Sequence, residues 1–387
     1  MELINIEIPE VKGKRHIKIS DGFIVEEEPA ANIKKTSGNL AIEFTDAICF
    51  PGLINSHDHL EFNLFPKLGN RKYKDYIEWG ADIHKINIDV INEVLKIPLP
   101  LRIEYGIYKN LLSGVTTVVH HGNQTLKNKY LIDVVTGYNY LHSVKLEKYW
   151  RTKLNLKFNR KPFVIHTGEG TNLKSYSEIN QLIRWNIFNR TLVGIHGISM
   201  DAKQAEHFKA LVWCPVSNDF LYGGTSRINK IKEKTTILFG TDSNVSADWN
   251  LWQHLRFARK AGLLNDLELY KTVTTNAANI WNLKNTGILS PGFKADLVIA
   301  EKKYLNFFDS FFAIEPENIL MLIKDGKIIL IDSQFSNQLK DSKFMLHDFT
   351  EIKIGPRVKL IAGKLNNLCR QIETYSSNVF FPFELVK

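Results

Sequence analysis

Residues 50–62 read FPGLINSHDHLEF, and this stretch decides how the rest of the chain is to be read. An apolar run, Ile48 to Ile54, leads into His57 and His59, two positions apart. Side chains on a strand alternate between faces, so both imidazoles point one way and Asp58 points the other. In a parallel barrel the end of such a strand is where the chemistry sits. Two converging imidazoles make half of a zinc site. Alone, the pair is weak evidence, because so short a motif recurs by chance.

Further strands end in the same way. PFVIH closes on His166 with Glu169 three residues later, TLVGIH closes on His196, and TTILFGTD closes on Asp242. Glycines beside these residues permit close backbone approach. Any one of them would pass for a satisfied core histidine or a helix cap; their recurrence at equivalent strand ends is hard to ascribe to packing. Between these runs lie helical segments such as 201–209 and 251–261. Alternation of this kind implies parallel strands with helical crossovers. The expected fold is therefore α/β, a (β/α)8 TIM-type barrel over residues 49–286. Only about forty residues separate TTVVHH from PFVIH, too few for two full crossover units of about thirty residues each. The barrel is expected to be abbreviated around its third and fourth strands, with NYLHSVKL as one of them. No repeat of 20–50 residues is visible, which argues against a solenoid or propeller.

Both chain ends read differently. Asp21-Gly22 separates HIKIS from FIVEE, and Asp325-Gly326 separates ILMLIK from KIILID. Asp-Gly between alternating runs is a hairpin signal, since glycine supplies the positive φ. Segments 1–48 and 287–335 are expected to join in a small β-sandwich, with 336–387 a C-terminal extension of unassigned partner.

The arrangement resembles the amidohydrolase superfamily, in the mononuclear branch that holds guanine and S-adenosylhomocysteine deaminases, triazine hydrolases and imidazolonepropionase. PGLINSHDHL matches that family's first-strand signature, VWCPVSNDFLYGG its seventh-strand segment and GTDS its eighth; VTTNAANIWNL and GILSPGFKADLVI match the exit from the barrel. The resemblance implies that His57, His59, His166 and Asp242 bind one divalent ion, expected to be Zn2+ with Fe2+ or Mn2+ as alternatives. It implies catalytic roles for Glu169, His196 and Asp242. Such an ion lowers the pKa of water to ~7, making hydroxide available for attack on an sp² carbon. Asp242 would take the water's proton, Glu169 would serve as proton shuttle and His196 would polarise the electrophile. Substrate contacts are expected from the barrel-end loops, with Glu61, Asn63, Trp79, His121 and Asn218 as candidates. Asp58 departs from the small or hydroxyl residue usual inside the family's HxH. No lysine stands in a strand-end context, which argues against a carboxylated-lysine bridge and a second metal.

The expected activity is hydrolysis of a C–N bond, first as deamination of a nitrogen heterocycle, with hydrolysis of a cyclic amide or imidazolone as the alternative. A non-catalytic scaffold is disfavoured because the whole ligand set is present. A nucleic-acid role would rest on Lys145, Lys148, Arg151, Lys153, Lys157, Arg160 and Lys161, with Tyr149, Trp150 and Phe158 among them. That stretch reads first as a solvated face, because no nucleic-acid-binding fold accompanies it. This 387-residue chain carries a net charge of +9, and outside that stretch its basic excess is scattered. Cys49, Cys214 and Cys369 form no CxxC pair and read as buried thiols in a reducing cytoplasm. The N-terminus shows no secretory leader, and no apolar run approaches the ~20 residues of a membrane span. A small-molecule substrate is the expected partner, with a homo-oligomer allowed and neither membrane nor nucleic acid expected.

Overall fold

A computed structural model describes residues 1–32, 40–122, 130–156, 159–339 and 348–386. Eight described strands form the barrel wall: β5 (Leu53–Asp58), β6 (Val115–His120), β7 (Asp133–Val135), β8 (Asn139–Ser143), β9 (Phe163–Thr167), β10 (Leu192–His196), β11 (Ala210–Trp213) and β12 (Thr236–Phe239). Two parallel ladders carry them, β5-β6-β7 and β12-β11-β10-β9-β8. Strands such as β9 and β10 are buried at every position, as expected where helices or side chains cover both faces of a parallel sheet. A parallel bridge between Asp58 and Asp242 joins the first strand to the last. His59 N donates to Asp242 O at 2.9 Å and Asp242 N donates to His57 O at 3.0 Å across the same seam. Gly240 permits this closure: a Cβ there would stand 2.7 Å from the Cβ of His57. The architecture is TIM-barrel-type.

The abbreviated region lies where its length demanded. NYLHSVKL supplies β8, and the other strand of this region is β7, only three residues long and ahead of it. Residues 136–138 alone connect the two, too short for a crossover helix. Among the described residues no ladder pairs β7 with β8. Tyr138 crosses this gap and donates its hydroxyl to the carbonyl of His120.

Three helices fill the long excursion between β5 and β6: α1 (Tyr76–Ile86), α2 (Ile88–Leu95) and α3 (Leu99–Leu112). Asp75 caps α1, accepting from the amides of Ile77 (3.1 Å) and Glu78 (3.0 Å). Its other oxygen accepts from Asn172 Nδ2 at 2.8 Å, which pins the helix start to the rim of the barrel. The helix Leu251–Ala261 forms where the sequence placed it; that expected over 201–209 is a single turn, Ala202–Ala205.

Both chain ends enter one ten-stranded sheet. Its members are β1 (Glu2–Glu7), β2 (Arg15–Ser20), β3 (Phe23–Pro29), β4 (Ala41–Pro51), β13 (Leu297–Glu301), β14 (Ile319–Lys324), β15 (Lys327–Asp332), β16 (Phe349–Ile354), β17 (Arg357–Ala362) and β18 (Glu384–Leu385). Their order is β18-β16-β17-β15-β14-β13-β4-β1-β2-β3. The two ends meet at β4 and β13, antiparallel with Cys49 opposite Ile299. The two Asp-Gly tips touch, since a Cβ on Gly326 would lie 2.9 Å from the Cα of Gly22. Phe44 of β4 and Phe335, in the turn that follows β15, pack with ring centroids 5.0 Å apart, and one core gathers residues from both chain ends. The extension finds its partners here: β16, β17 and β18 continue the sheet, while the helix Leu365–Glu373 packs against α3. Phe311, between Phe50 of β4 and Trp252 of a barrel helix (5.0 and 5.2 Å between centroids), binds sheet to barrel. Each such aromatic pair contributes ~0.5–1.5 kcal/mol beyond area burial. Cys49, Cys214 and Cys369 are free and buried. No described helix is long and apolar enough to cross a membrane.

Candidate metal and catalytic centre

The strand-end histidines converge over the mouth of the barrel. Ring centroids of His57 lie 4.9 Å from His59 and 5.0 Å from His166, and His59 and His166 stack nearly parallel at 5.4 Å. Asp242 enters from the eighth strand end, its Oδ1 3.5 Å from His57 Nε2 and 3.7 Å from His59 Nε2. A tetrahedral ion with bonds of ~2.0–2.2 Å holds its ligand atoms ~3.4 Å apart, so the distances from Asp242 Oδ1 to His57 and His59 suit one ion among these three, with His166 beside His57. Both ring nitrogens of His57 are buried without a hydrogen-bond partner, a costly state for a polar group unless a ligand claims it. Burial holds the imidazoles of His57, His59 and His166 below their usual pKa, and their crowding lowers the latter two further. Neutral imidazole is the form that binds metal.

Neighbours fix the orientation of these groups. His166 Nδ1 donates to the carbonyl of His142 at 3.0 Å, turning Nε2 toward the centre. Asp242 Oδ2 accepts from Ser217 Oγ (2.6 Å) and Ser246 Oγ (2.7 Å), which leaves Oδ1 for the histidines. Burial opposes the charge on Asp242, yet the imidazoles of His57, His196 and His59 more than offset it and hold the carboxyl well below its usual range. His142, Ser217 and Ser246 are additions to the residues singled out in the sequence. Ser246 follows Asp242 by four positions, and Ser217 sits one before Asn218 in the seventh-strand motif; that spacing was the only available signal.

Glu169 and His196 stand beside the metal-type cluster. His196 Nε2 is 3.7 Å from Glu169 Oε1, and Tyr222 Oη donates to the same oxygen at 2.8 Å. Burial raises the Glu169 pKa against the pull of His196. His196 is held through Nδ1 by Asn218 Oδ1 at 2.9 Å. His196 and Asp242 both adopt positive φ, 68° and 64°. Non-glycine residues rarely do so, and the strain is typical of functional positions that the surrounding fold over-determines. Close-lying ligand atoms also group His57, His166 and His196, so His196 stands near enough to act on anything the cluster binds.

A cavity of about 420 Å³ opens above these residues, with His59, His166, Glu169, His196 and Asp242 at its base. Of the substrate candidates, Trp79 lines it. The other four lie outside its wall, each for a visible reason. Asn63 is turned under β5, donating to Asp58 Oδ1 at 2.9 Å. Asn218 is occupied with His196. Glu61 faces His120 at 3.7 Å, where burial raises its pKa to about 7. His121 packs edge-on against His166, centroids 4.5 Å apart, with both nitrogens buried and lacking hydrogen bonds. On the opposite face of β5, Asp58 accepts from Lys109 Nζ (3.0 Å) and Asn110 Nδ2 (2.7 Å), as its alternation required.

The basic stretch does not form one free face. Lys145 reaches Asp75 at 3.6 Å, Lys153 pairs with Glu147, and Arg151 stacks over Trp150 and Trp185. Lys157 and Phe158 lie outside the described residues.

The chain matches the amidohydrolase family over residues 156–329. It is 24% identical to a 5-methylthioadenosine/S-adenosylhomocysteine deaminase of Caldicellulosiruptor saccharolyticus, across 83% of this chain and 90% of that protein. Its fold is similar to an adenosine deaminase from Xanthomonas campestris with bound zinc (TM-score 0.72, 15% identity, 97% of each chain). It is also similar to a guanine deaminase from C. acetobutylicum with bound guanine (TM-score 0.62, 15% identity, 84% of this chain and 99% of that one). The strand-end histidines and aspartate gathered at one barrel mouth lie within a chain that is thus similar to the amidohydrolase family over residues 156–329.

Proposed function

We propose that the protein is a metal-dependent aminohydrolase that removes an amino group from a nitrogen heterocycle. The observation that carries this reading is geometric: two buried carboxyls share one cavity base, Glu169 against His196 and the Tyr222 hydroxyl and Asp242 against His57 and His59. Burial pushes the Glu169 pKa up, and the imidazoles pull that of Asp242 down. Two carboxyls driven apart in pKa mark an acid and a base. The deaminase names of the relatives support the same choice.

In this reading His57, His59, His166 and Asp242 hold one divalent ion, zinc by preference for nitrogen and carboxylate donors. When bound, such an ion makes water nucleophilic near neutral pH and polarises the group it attacks. Asp242 accepts the proton released as the water oxygen bonds to the amino-bearing ring carbon. Glu169, protonated at the outset, gives its proton to the adjacent ring nitrogen. The proton that Asp242 holds passes to the amino nitrogen, the C–N bond breaks, and ammonia leaves as the new hydroxyl gives its proton back to Glu169 and the ring carbon becomes a carbonyl. His196, fixed by Asn218, donates toward the developing negative charge. Residues 49–286 are the catalytic unit in this proposal, with the sheet of segments 1–48 and 287–335, continued by β16, β17 and β18, its support.

Ammonia release is the test, from methylthioadenosine, S-adenosylhomocysteine, adenosine, guanine and 5-methylcytosine with zinc-loaded protein. At least one should be turned over, and Glu169→Gln should lower its rate ~10²–10⁴-fold while the zinc content stays unchanged. Opening of cyclic amides or imidazolones with no ammonia from this panel would replace the reading, and a fully active glutamine variant would remove Glu169 from it.

A further inference from the structure

Above its polar base the cavity is walled by apolar side chains. Phe62, Phe65 and Leu68 come from the segment after β5, Ile83 from α1, and Ile91 and Leu95 from α2. The aromatic residues with polar handles have turned them away. Trp79 Nε1 donates to Leu68 O at 2.9 Å and Tyr76 Oη donates to Glu178 Oε1 at 3.2 Å, so both show ring surface to the interior. His84 and His142 also face the cavity, with Nδ1 engaged by Gly80 O (2.7 Å) and Ser143 Oγ (3.4 Å). The apolar track continues to the rim, where Leu95 and Leu146 are 48% and 56% exposed.

Gly80 gives the track its room. It sits inside α1, where glycine costs helix stability relative to alanine. A Cβ built there meets nothing within 4 Å, although the residue lines the cavity. No positive φ and no close packing requires a glycine here, so a larger side chain at this position would extend into open space beside the cavity lining.

We propose that the substrate is a heterocyclic amine carrying an extended apolar substituent, which runs from the ring at the base outward past Gly80 to Leu95 and Leu146. This rests on the aminohydrolase reading for the ring and on the wall itself for the substituent. A sugar in the same place would surrender the hydration of its hydroxyls against hydrocarbon, a cost that hydrogen-bond partners would have to offset. An alkyl or aryl group gains from the same contact.

The experiment is a series of 9-alkyladenines, methyl to hexyl, with adenosine as the polar comparison. Binding to the zinc-loaded protein is measured by calorimetry and ammonia release in parallel. Dissociation constants should fall about fourfold per added methylene until the chain reaches the rim, and 9-butyladenine should bind more tightly than adenosine. Gly80→Leu should flatten the series by filling the space; its melting temperature and zinc content, unchanged or higher, would show that the helix and the metal site survive. Affinity that is flat along the series, tighter binding of adenosine, or no binding of any member overturns the proposal. Chain-length-dependent binding without ammonia from any member would leave the apolar subsite standing and remove the deaminase reading instead.

Discussion

The two faces of β5 make opposite use of polar groups. On the rim face, His57 buries two ring nitrogens that bond to nothing in the protein. On the hidden face, Asp58 is equally buried, but each oxygen accepts hydrogen bonds, from Asn63, Asn110, Lys109 and Asn55. Lys109 Nζ continues to Thr241 Oγ1 at 3.1 Å, next to Asp242. A single alternating strand thus divides a face whose ring nitrogens lack protein partners from a face whose carboxylate is fully hydrogen-bonded. The difference teaches that burial alone does not mark a functional residue; what sets His57 apart is unpartnered ring nitrogens together with a place among the strand-end histidines and Asp242.

The rim face should fail first and hardest. Replacing His57 and His59 together by alanine should bring the metal content well below one ion per chain and activity to background. Elemental analysis that still finds one ion would break the comparison, since those imidazoles would then be mere packing.

The hidden face should show up in stability. Lys109→Met strands the Asp58 charge, and removing one partner of a buried pair costs ~3–5 kcal/mol. Adding Asp58→Asn should recover most of that loss. Denaturant unfolding of the two variants gives the answer, and a Lys109→Met protein as stable as its parent would show that the pair contributes nothing.

A weaker, pH-dependent effect belongs to Glu178, which lies behind the cavity wall with Tyr76 as its partner. Burial raises its pKa from 4.5 to about 7, against Lys145 and the Tyr76 hydroxyl. The folded protein holds this proton up to about pH 7 while the unfolded chain releases it near 4.5. Stability therefore falls as pH rises through that window, by at most ~3 kcal/mol. Glu178→Gln should reduce the fall, leaving the share that Glu61 contributes over the same range. Melting curves at pH 5 and pH 8 that move alike in both proteins would place Glu178 with the satisfied groups.

Legibility followed the kind of interaction involved. The HxH spacing, the strand-end His166, His196 and Asp242, and Glu169 three residues on were readable because period-two alternation and chain adjacency are local. Trp79 was found as a loop aromatic, although its place is on a helix. Asn63 and Asn218 carried the right chemistry for a substrate edge, and the fold spends them on Asp58 and His196 instead. Tyr222 went unnoticed because it lies 53 residues from Glu169. The three-residue β7 was too short to show any periodicity.

By itself the sequence determined the alternation of strands and helices, the identity of the groups at the strand ends and the hairpins at both chain ends. Each follows from backbone geometry over a few neighbouring residues. Tertiary structure alone decided which oxygen of Asp242 faces the histidines, that β4 and β13 join the chain ends, and that α1 and α2 wall the cavity with hydrocarbon around Gly80. Those outcomes depend on contacts between residues far apart in the chain, and on the positive φ that closure imposes at His196 and Asp242.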